Sequence, residues 1–333
     1  MAETVLGLGD GERPVRRYRT IARSWGAPAV LLLLLLFNLL VTPNFLTLQT
    51  LNVNLTQVAT IVIVATGMTL VVATGGIDLS VGSLMAIAGA LAPMIFQDRL
   101  FGTIGNPALA VVLAFVMPVL VAGAFGAFNG LLVTRFGIQP IIATLVLFIA
   151  GRGIAQVMTN GNLQTFSNPG FQFIGLGRIA GMPVQVLLML AIVGAAAWAL
   201  RSTVFGRQVL ATGGNEPAAR LAGVPVDRVK LWVYAASGLL SGLAGLIVIA
   251  INSSSDANLI GLGMELDAIA AVAVGGTLLT GGSATVVGTL LGALIIQLVR
   301  YTLLANGVPD AAALVVKAAI ILLAVWLQRQ SRT

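Results

Sequence analysis

Few residues in this chain could do chemistry. There are 11 acidic and 18 basic side chains in 333 residues, with no histidine and no cysteine. Three carboxylates border long apolar runs: Asp78 in Thr74-Gly75-Gly76-Ile77-Asp78-Leu79-Ser80, and Glu265 and Asp267 in Glu265-Leu266-Asp267. Two cations, Arg152 and Lys317, interrupt apolar stretches. Without imidazole or thiolate, the commonest metal ligand and the commonest general base are missing. No metal site and no catalytic residue is assigned. Lysine occurs only at Lys230 and Lys317, so the phosphate-binding pattern G-x-x-x-x-G-K-[ST] is absent. ATP hydrolysis by that route is excluded. What remains is hydrogen bonding. Thr66, Thr69, Asn129, Thr144 and Gln156 place hydroxyls and amides inside apolar stretches. Such groups suit transient bonds to a polar solute, or bonds from helix to helix worth about 1 kcal/mol each.

Each ionisable candidate has two readings. Asp78 follows two glycines and precedes an apolar helix, where it serves as an N-cap or gates the inner mouth of a path. Glu265 and Asp267 open an apolar segment, where negative charge suits the helix dipole. Two residues apart is about 200° around a helix, so they cannot both face one pore. One is expected to cap or pair, the other to point inward. Arg152 and Lys317 are costly in an apolar helix and call for a partner. For Lys317 the acidic candidates are Asp78, Glu265 and Asp267. Arg152 could instead snorkel to the surface.

The elements that position these groups are helices. The chain is 58% hydrophobic and only 9% charged, with mean hydropathy +1.02, where soluble domains carry about 25% charged residues. Apolar runs of about 20 residues span a bilayer, and only helices satisfy their backbone there without a closed barrel. The expected fold is an all-α polytopic membrane protein with about ten crossings. They lie near 26–43, 55–74, 79–97, 107–133, 138–159, 182–200, 229–251, 265–280, 284–304 and 311–328. The third and ninth follow glycine-rich turns and are the candidates for broken helices. The first run is read as a retained helix, not a cleaved signal. The +7 charge sets topology and does not indicate nucleic acid. Arg13, Arg16, Arg17, Arg19, Arg23, Arg135, Arg201, Arg207, Arg220, Arg228, Lys230, Arg329 and Arg332 fall on one side of ten crossings. Arg99, Arg178 and Arg300 fall on the other. By the positive-inside rule both termini are cytoplasmic. The organisation is then a cytoplasmic tail (1–24), a transmembrane domain (25–328) with an inner loop at 201–230, and a short cytoplasmic tail (329–333). An external loop, 160–181, is long and rich in Asn, Gln and Gly.

The inner loop holds the sharpest local signal. Gly214-Asn215-Glu216-Pro217-Ala218-Ala219-Arg220-Leu221-Ala222-Gly223-Val224-Pro225 spells a short isolated helix. Asn215 is its N-cap, and Glu216 complements the dipole. Pro217 fits the first turn, and Gly223 suits the left-handed position beyond the end. Ala218, Leu221 and Ala222 share a face. Two turns are unstable alone in water, so this helix must dock on its own bundle or on a cytoplasmic partner. Glycines at 123, 126 and 130, and at 238, 242 and 245, are spaced for close helix packing. A further echo links 67–76 with 275–282. The two segments share one orientation by the crossing count, so they are either a repeat that is not simply inverted or two similar turns.

Three blocks carry a family resemblance: Thr74–Gly82; Glu265–Val272 with Gly275-Gly276-Thr277; and Asn215–Gly223. In order and spacing they resemble the permease subunits of bacterial ABC importers of the ribose, xylose and galactofuranose group. Gly151-Arg152-Gly153, Gln156 and Asp256-Ala257-Asn258 look most like the galactofuranose-type branch. The resemblance implies a type II ABC importer-like permease in the bacterial inner membrane, translocating a monosaccharide of pentose or furanose type by alternating access. It implies a second permease subunit, a cytoplasmic ATP-binding subunit that uses ATP and Mg, and a periplasmic sugar-binding protein. No cofactor is expected on this chain itself. Gly214, Asn215, Glu216, Ala219, Arg220, Leu221 and Gly223 then resemble the coupling helix that seats in the ATPase. The rival readings are a branched-chain amino-acid-type ABC permease and a secondary transporter.

Overall fold

The computed structural model describes residues 12–97, 99–102 and 104–330. Residues 1–11 of the expected N-terminal tail and 331–333, with Arg332, lie outside the described residues. So do the side chains of Arg13, Arg16, Arg17, Arg19, Arg23 and Arg329. Among the described residues there are thirteen helices and four two-residue strands. The helices are α1 (Glu12–Val41), α2 (Leu48–Ala73), α3 (Val81–Phe96), α4 (Pro107–Arg135), α5 (Pro140–Thr159), α6 (Pro169–Leu176) and α7 (Val184–Ser202). They continue as α8 (Val204–Gly214), α9 (Glu216–Leu221), α10 (Val226–Asn252), α11 (Met264–Val274), α12 (Val286–Ala305) and α13 (Asp310–Gln330).

Among the described residues, six helices are long and apolar enough to cross a membrane: α2, α4, α5, α7, α10 and α12. Shorter apolar stretches are Gly26–Val41, Val81–Phe96 and Ala311–Ile320. The expected count of ten is therefore not what helix length and composition give. The expected eighth crossing, 265–280, is helical only to Val274. Gly276, Gly281 and Gly282 follow at φ of 83°, 87° and 77°, a left-handed backbone that ends a helix. These glycines cut the eighth segment short, and the ninth, α12, is intact. The first helix reaches back to Glu12, into the expected tail, and carries Pro28 within it; arginine, frequent in its first half, is a good helix former. Likewise α13 continues to Gln330.

Burial orders the bundle. Helix α2 is buried from Val58 to Ala73, α3 is buried along most of its length, and α10 crosses beside both. Helices α1, α4 and α5 present Leu33, Leu40, Leu120, Ile149 and Val157 outward. The two glycine stripes explain the centre, since they face each other. A Cβ on Gly126 would stand 2.3 Å from the Tyr234 carbonyl oxygen, and one on Gly238 would stand 2.4 Å from that of Ala122. Gly245 meets the Met85 backbone and Gly67 the Ser237 Cα in the same way. Backbone approaches backbone, and dispersion replaces the missing side chains.

At one end, β1 (Gln164–Thr165) pairs with β4 (Ser254–Ser255), and β2 (Arg178–Ile179) with β3 (Met182–Pro183). Phe171 of α6 stacks on Phe115 at 4.5 Å and meets Phe96 edge-on at 4.9 Å. The long polar loop is thereby folded onto α3 and α4. At the other end the two echoing glycine turns touch. The Gly282 N–H donates to the Ala73 carbonyl at 3.0 Å, and a Cβ on Gly213 would lie 1.9 Å from that same oxygen.

Gly126→Leu should force α4 off α10 and cost about 1–3 kcal/mol by overpacking. A thermal melt of detergent-solubilised protein should drop by several degrees. Gly153→Ala, at a position open to surroundings, should melt within about 0.5 kcal/mol of the parent.

Candidate functional site

Helix α9 is built as its sequence implies. The Asn215 side chain accepts from the Ala218 N–H at 3.0 Å. The Gly223 N–H donates to the Arg220 carbonyl and the Val224 N–H to the Ala219 carbonyl, both at 3.0 Å, with Gly223 at φ 80°. These bonds form a Schellman cap. Glu216 accepts from Arg220 at 3.0 Å and from Lys230 of α10 at 2.6 Å, and Arg220 donates to Asp227 at 2.5 Å. Ala219 is buried toward the bundle, while Ala218, Leu221 and Ala222 are exposed. Leu221 is 91% exposed. Helix α9 is thus held at its base and bare on its apolar face. Partial burial pushes the Glu216 carboxyl up, but hydrogen bonds and charge from Lys230 and Arg220 outweigh that and hold it below its ordinary 4.5.

A second constellation lies where α3 begins. Asp78 is fully buried. Its Oδ1 accepts from the Ser80 N–H at 3.0 Å and the Ser80 hydroxyl at 2.6 Å. Its Oδ2 accepts from the Ser237 hydroxyl of α10 at 2.7 Å. Asn129 of α4 donates to the Ser80 hydroxyl at 2.9 Å. The Tyr234 hydroxyl is 3.4 Å from the Ile77 carbonyl. The N-cap of α3 is Ser80, without a side-chain cap bond, so Asp78 does not take the expected N-cap role. It closes the turn just before α3 through Ser80 and ties it to α10, while Ser80 ties it to α4. Ser80, Ser237, Tyr234 and Lys230 were not among the sequence candidates. The only sequence signal for the α10 residues is the spacing 230, 234, 237, which puts them on one helix face.

The third constellation is at the start of α11. Asp267 forms an ion pair with Lys317 of α13, which settles the partner of that lysine. Glu265 is 7% exposed, and its Oε2 lies where a Cβ on Gly82 would be 2.7 Å away. Arg152 donates to the carbonyls of Ala257 at 2.8 Å and Ile260 at 2.5 Å. It pins the segment that leads into α11 and does not snorkel outward. The start of α3 and the start of α11 therefore meet inside the bundle.

The remaining path candidates are scattered. Thr66 donates to the Val62 carbonyl within its own helix. Thr69 bonds the Ala65 carbonyl and Thr289 of α12. Thr144 bonds the Pro140 carbonyl. Gln156 donates to Asn258 at the opposite end from α9. The structure does not bring Thr66, Thr69, Thr144 and Gln156 to one surface. Among the described residues no three acidic side chains gather to hold a metal ion.

Comparison with known proteins follows the same lines. Residues 51–325 match the family described as branched-chain amino acid transport system / permease component. The ribose import permease protein RbsC of Escherichia coli (strain K12) is 42% identical over 324 residues, covering 95% of this chain and 98% of that protein. The galactofuranose transporter permease protein YtfT of the same strain is 38% identical, covering 97% and 94%. The L-arabinose ABC transporter permease protein AraH of Azospirillum brasilense is 35% identical, covering 95% and 90%. No solved structure matches.

Two outcomes test this geometry. Lys317→Met should leave Asp267 buried and unpaired, costing about 3 kcal/mol or more. The double variant with Asp267→Asn should recover most of the melting temperature. The Glu216 clamp, with its lowered folded-state value, is fully present above the ordinary 4.5 and is lost as pH falls through the lower folded value. Hydrogen-exchange protection of 216–223 should therefore hold from neutral pH down to about the ordinary 4.5 and fall progressively below it. Glu216→Gln should remove the pH-dependent part of that drop.

Proposed function

Because this chain belongs to the branched-chain amino acid transport system / permease component family, we propose that it is the permease subunit of an ATP-driven importer carrying a monosaccharide of pentose or furanose type into the cell. It is a non-enzymatic, multi-pass membrane subunit. The relatives' names support the sugar: ribose, galactofuranose and L-arabinose, in proteins aligned over 90% or more of their length. The observation that carries the mechanism is α9. A capped, clamped helix with Leu221 at 91% exposure is a peg without a socket. In this reading its socket is a cytoplasmic ATP-binding subunit that uses ATP and Mg.

The rest of the machine follows from that assignment. All ten apolar segments cross the inner membrane, with α3 and α11 as partial helices completed by their irregular leaders. Both termini and the 201–230 loop face the cytoplasm, where the basic residues collect. The permease domain takes up 25–328, flanked by the two tails. A second permease subunit, the same chain or a related one, completes the path, and a periplasmic sugar-binding protein delivers the solute. Thr66, Thr69, Asn129, Thr144, Gln156, Glu265 and Asp267 are the candidates for the path, and Asp78 for its gate. ATP shifts an equilibrium between outward- and inward-open states, as any ligand must, by binding them differently.

A second reading rests on the family's description, which names branched-chain amino acids. Uptake into vesicles holding the copurified complex separates the two. Ribose-type sugars should enter and leucine should not. Vanadate should stop uptake and ionophores should not, which would exclude a secondary transporter. Leu221→Glu and Gly223→Val, the latter at φ 80°, should lose at least about tenfold in import, while membrane insertion stays intact. Normal uptake with both variants would remove α9 from the coupling role.

A further inference from the structure

We infer that one face of α10 is a strut that carries the movement of α9 to the buried turn where α3 begins. This rests on reading α9 as the coupling helix. Lys230, Tyr234 and Ser237 fall at i, i+4 and i+7, on one side of the helix. Lys230 holds Glu216 of α9 at 2.6 Å. Ser237 donates to Asp78 at 2.7 Å. Between them Tyr234 lies against the same turn, 3.4 Å from the Ile77 carbonyl. Seven residues of helix separate the ends, roughly 10 Å of rigid rod.

The two ends differ in a way that suits a strut. The α9 end is an ion pair reached by solvent. The Asp78 end is fully buried and held by Ser237, Ser80 and, through Ser80, Asn129. Glycine seating keeps the rod from bending away. Gly76 leaves room for the Tyr234 hydroxyl, which a Cβ would approach to 2.6 Å, and Gly67 sits on the Ser237 Cα. The turn that the strut grips leads directly into Gly82, whose carbonyl lies 3.4 Å from Arg152 and whose Cα side faces Glu265. A push on α9 therefore reaches the place where the starts of α3 and α11 meet. A demonstrated two-state coupling, and not adjacency alone, is what makes such a route physical. Ser237 and Lys230 act here as positioning residues.

The test is a double-mutant cycle on the assembled complex in proteoliposomes, reading sugar imported per ATP hydrolysed. Ser237→Ala and Lys230→Met should each lower that ratio about tenfold, and the double variant should be no worse than the weaker single variant. Ser237→Thr, which keeps the hydroxyl, should restore the ratio. Ser241→Ala removes a hydroxyl whose bond among the described residues is to the Ser237 carbonyl of its own helix and should leave the ratio unchanged. A general folding defect would lower import and hydrolysis together, leaving the ratio intact, and that result would overturn the strut. So would losses that multiply in the double variant, since independent sites add in free energy. A parent complex that imports while the losses multiply rejects the strut alone. A parent complex that neither holds an ATPase nor imports rejects the importer reading and the strut with it.

Discussion

Helix α10 meets its neighbours backbone to backbone, and the rest of the structure depends on that contact. Gly126 and Gly238 bring α4 and α10 together, Gly67 brings α2 to Ser237, and Gly245 receives α3. In lipid there is no hydrophobic gain from joining two apolar helices, so contact must come from packing and hydrogen bonds. Small residues make that contact dense. They also place the few polar side chains of α10 within reach of the broken turn at Asp78, which a bulkier interface would hold too far away.

Polar groups inside this bundle fall into two kinds. Thr66 bonds a carbonyl of its own helix and asks nothing of the tertiary fold, and Thr144 bonds its own helix and, at 3.4 Å, the Ile77 carbonyl. Asp78, Asp267 and Arg152 bond across elements, each at or beside an interruption in a helix. The pattern has a simple cause. Interruptions leave N–H and C=O groups and helix ends unsatisfied in a medium without water, and side chains with charge or several hydrogen-bonding atoms are what can close them. The acids Asp78, Glu265 and Asp267 stand beside breaks in the backbone, and the cations Arg152 and Lys317 reach that region from the interiors of α5 and α13. Such breaks are where an irregular backbone can line a path.

The two ends of the bundle solve opposite problems. Around 160–183 a polar loop is pulled in by strand pairing with Ser254 and Ser255 and by the Phe96, Phe115 and Phe171 cluster. At α9 the chain instead pushes a helix out and fixes only its base. Leu221 is left bare although Ala219, two residues earlier, is buried. A helix built this way keeps its shape on its own, and such pre-ordering lowers the cost of any docking.

Local physics made much of this legible in the linear chain. Capping, proline placement and a left-handed glycine are short-range rules, so α9 and its boundaries follow from 214–225 alone. Glycine spacing marked the packing faces of α4 and α10 because helical period needs no tertiary knowledge. Apolar length marked the chain as a membrane protein, because spanning a bilayer is a matter of run length alone. Three things needed the fold. Which acid serves Lys317 depends on where α11 and α13 cross. The end of the eighth segment depends on glycines that a hydropathy window averages away. Ser80 and Ser237 look like any other helix serines, and only packing reveals that one buried carboxyl gathers both. Sequence carries interactions within a few residues, whereas a hydrogen bond across 159 positions exists only once the helices have chosen their neighbours.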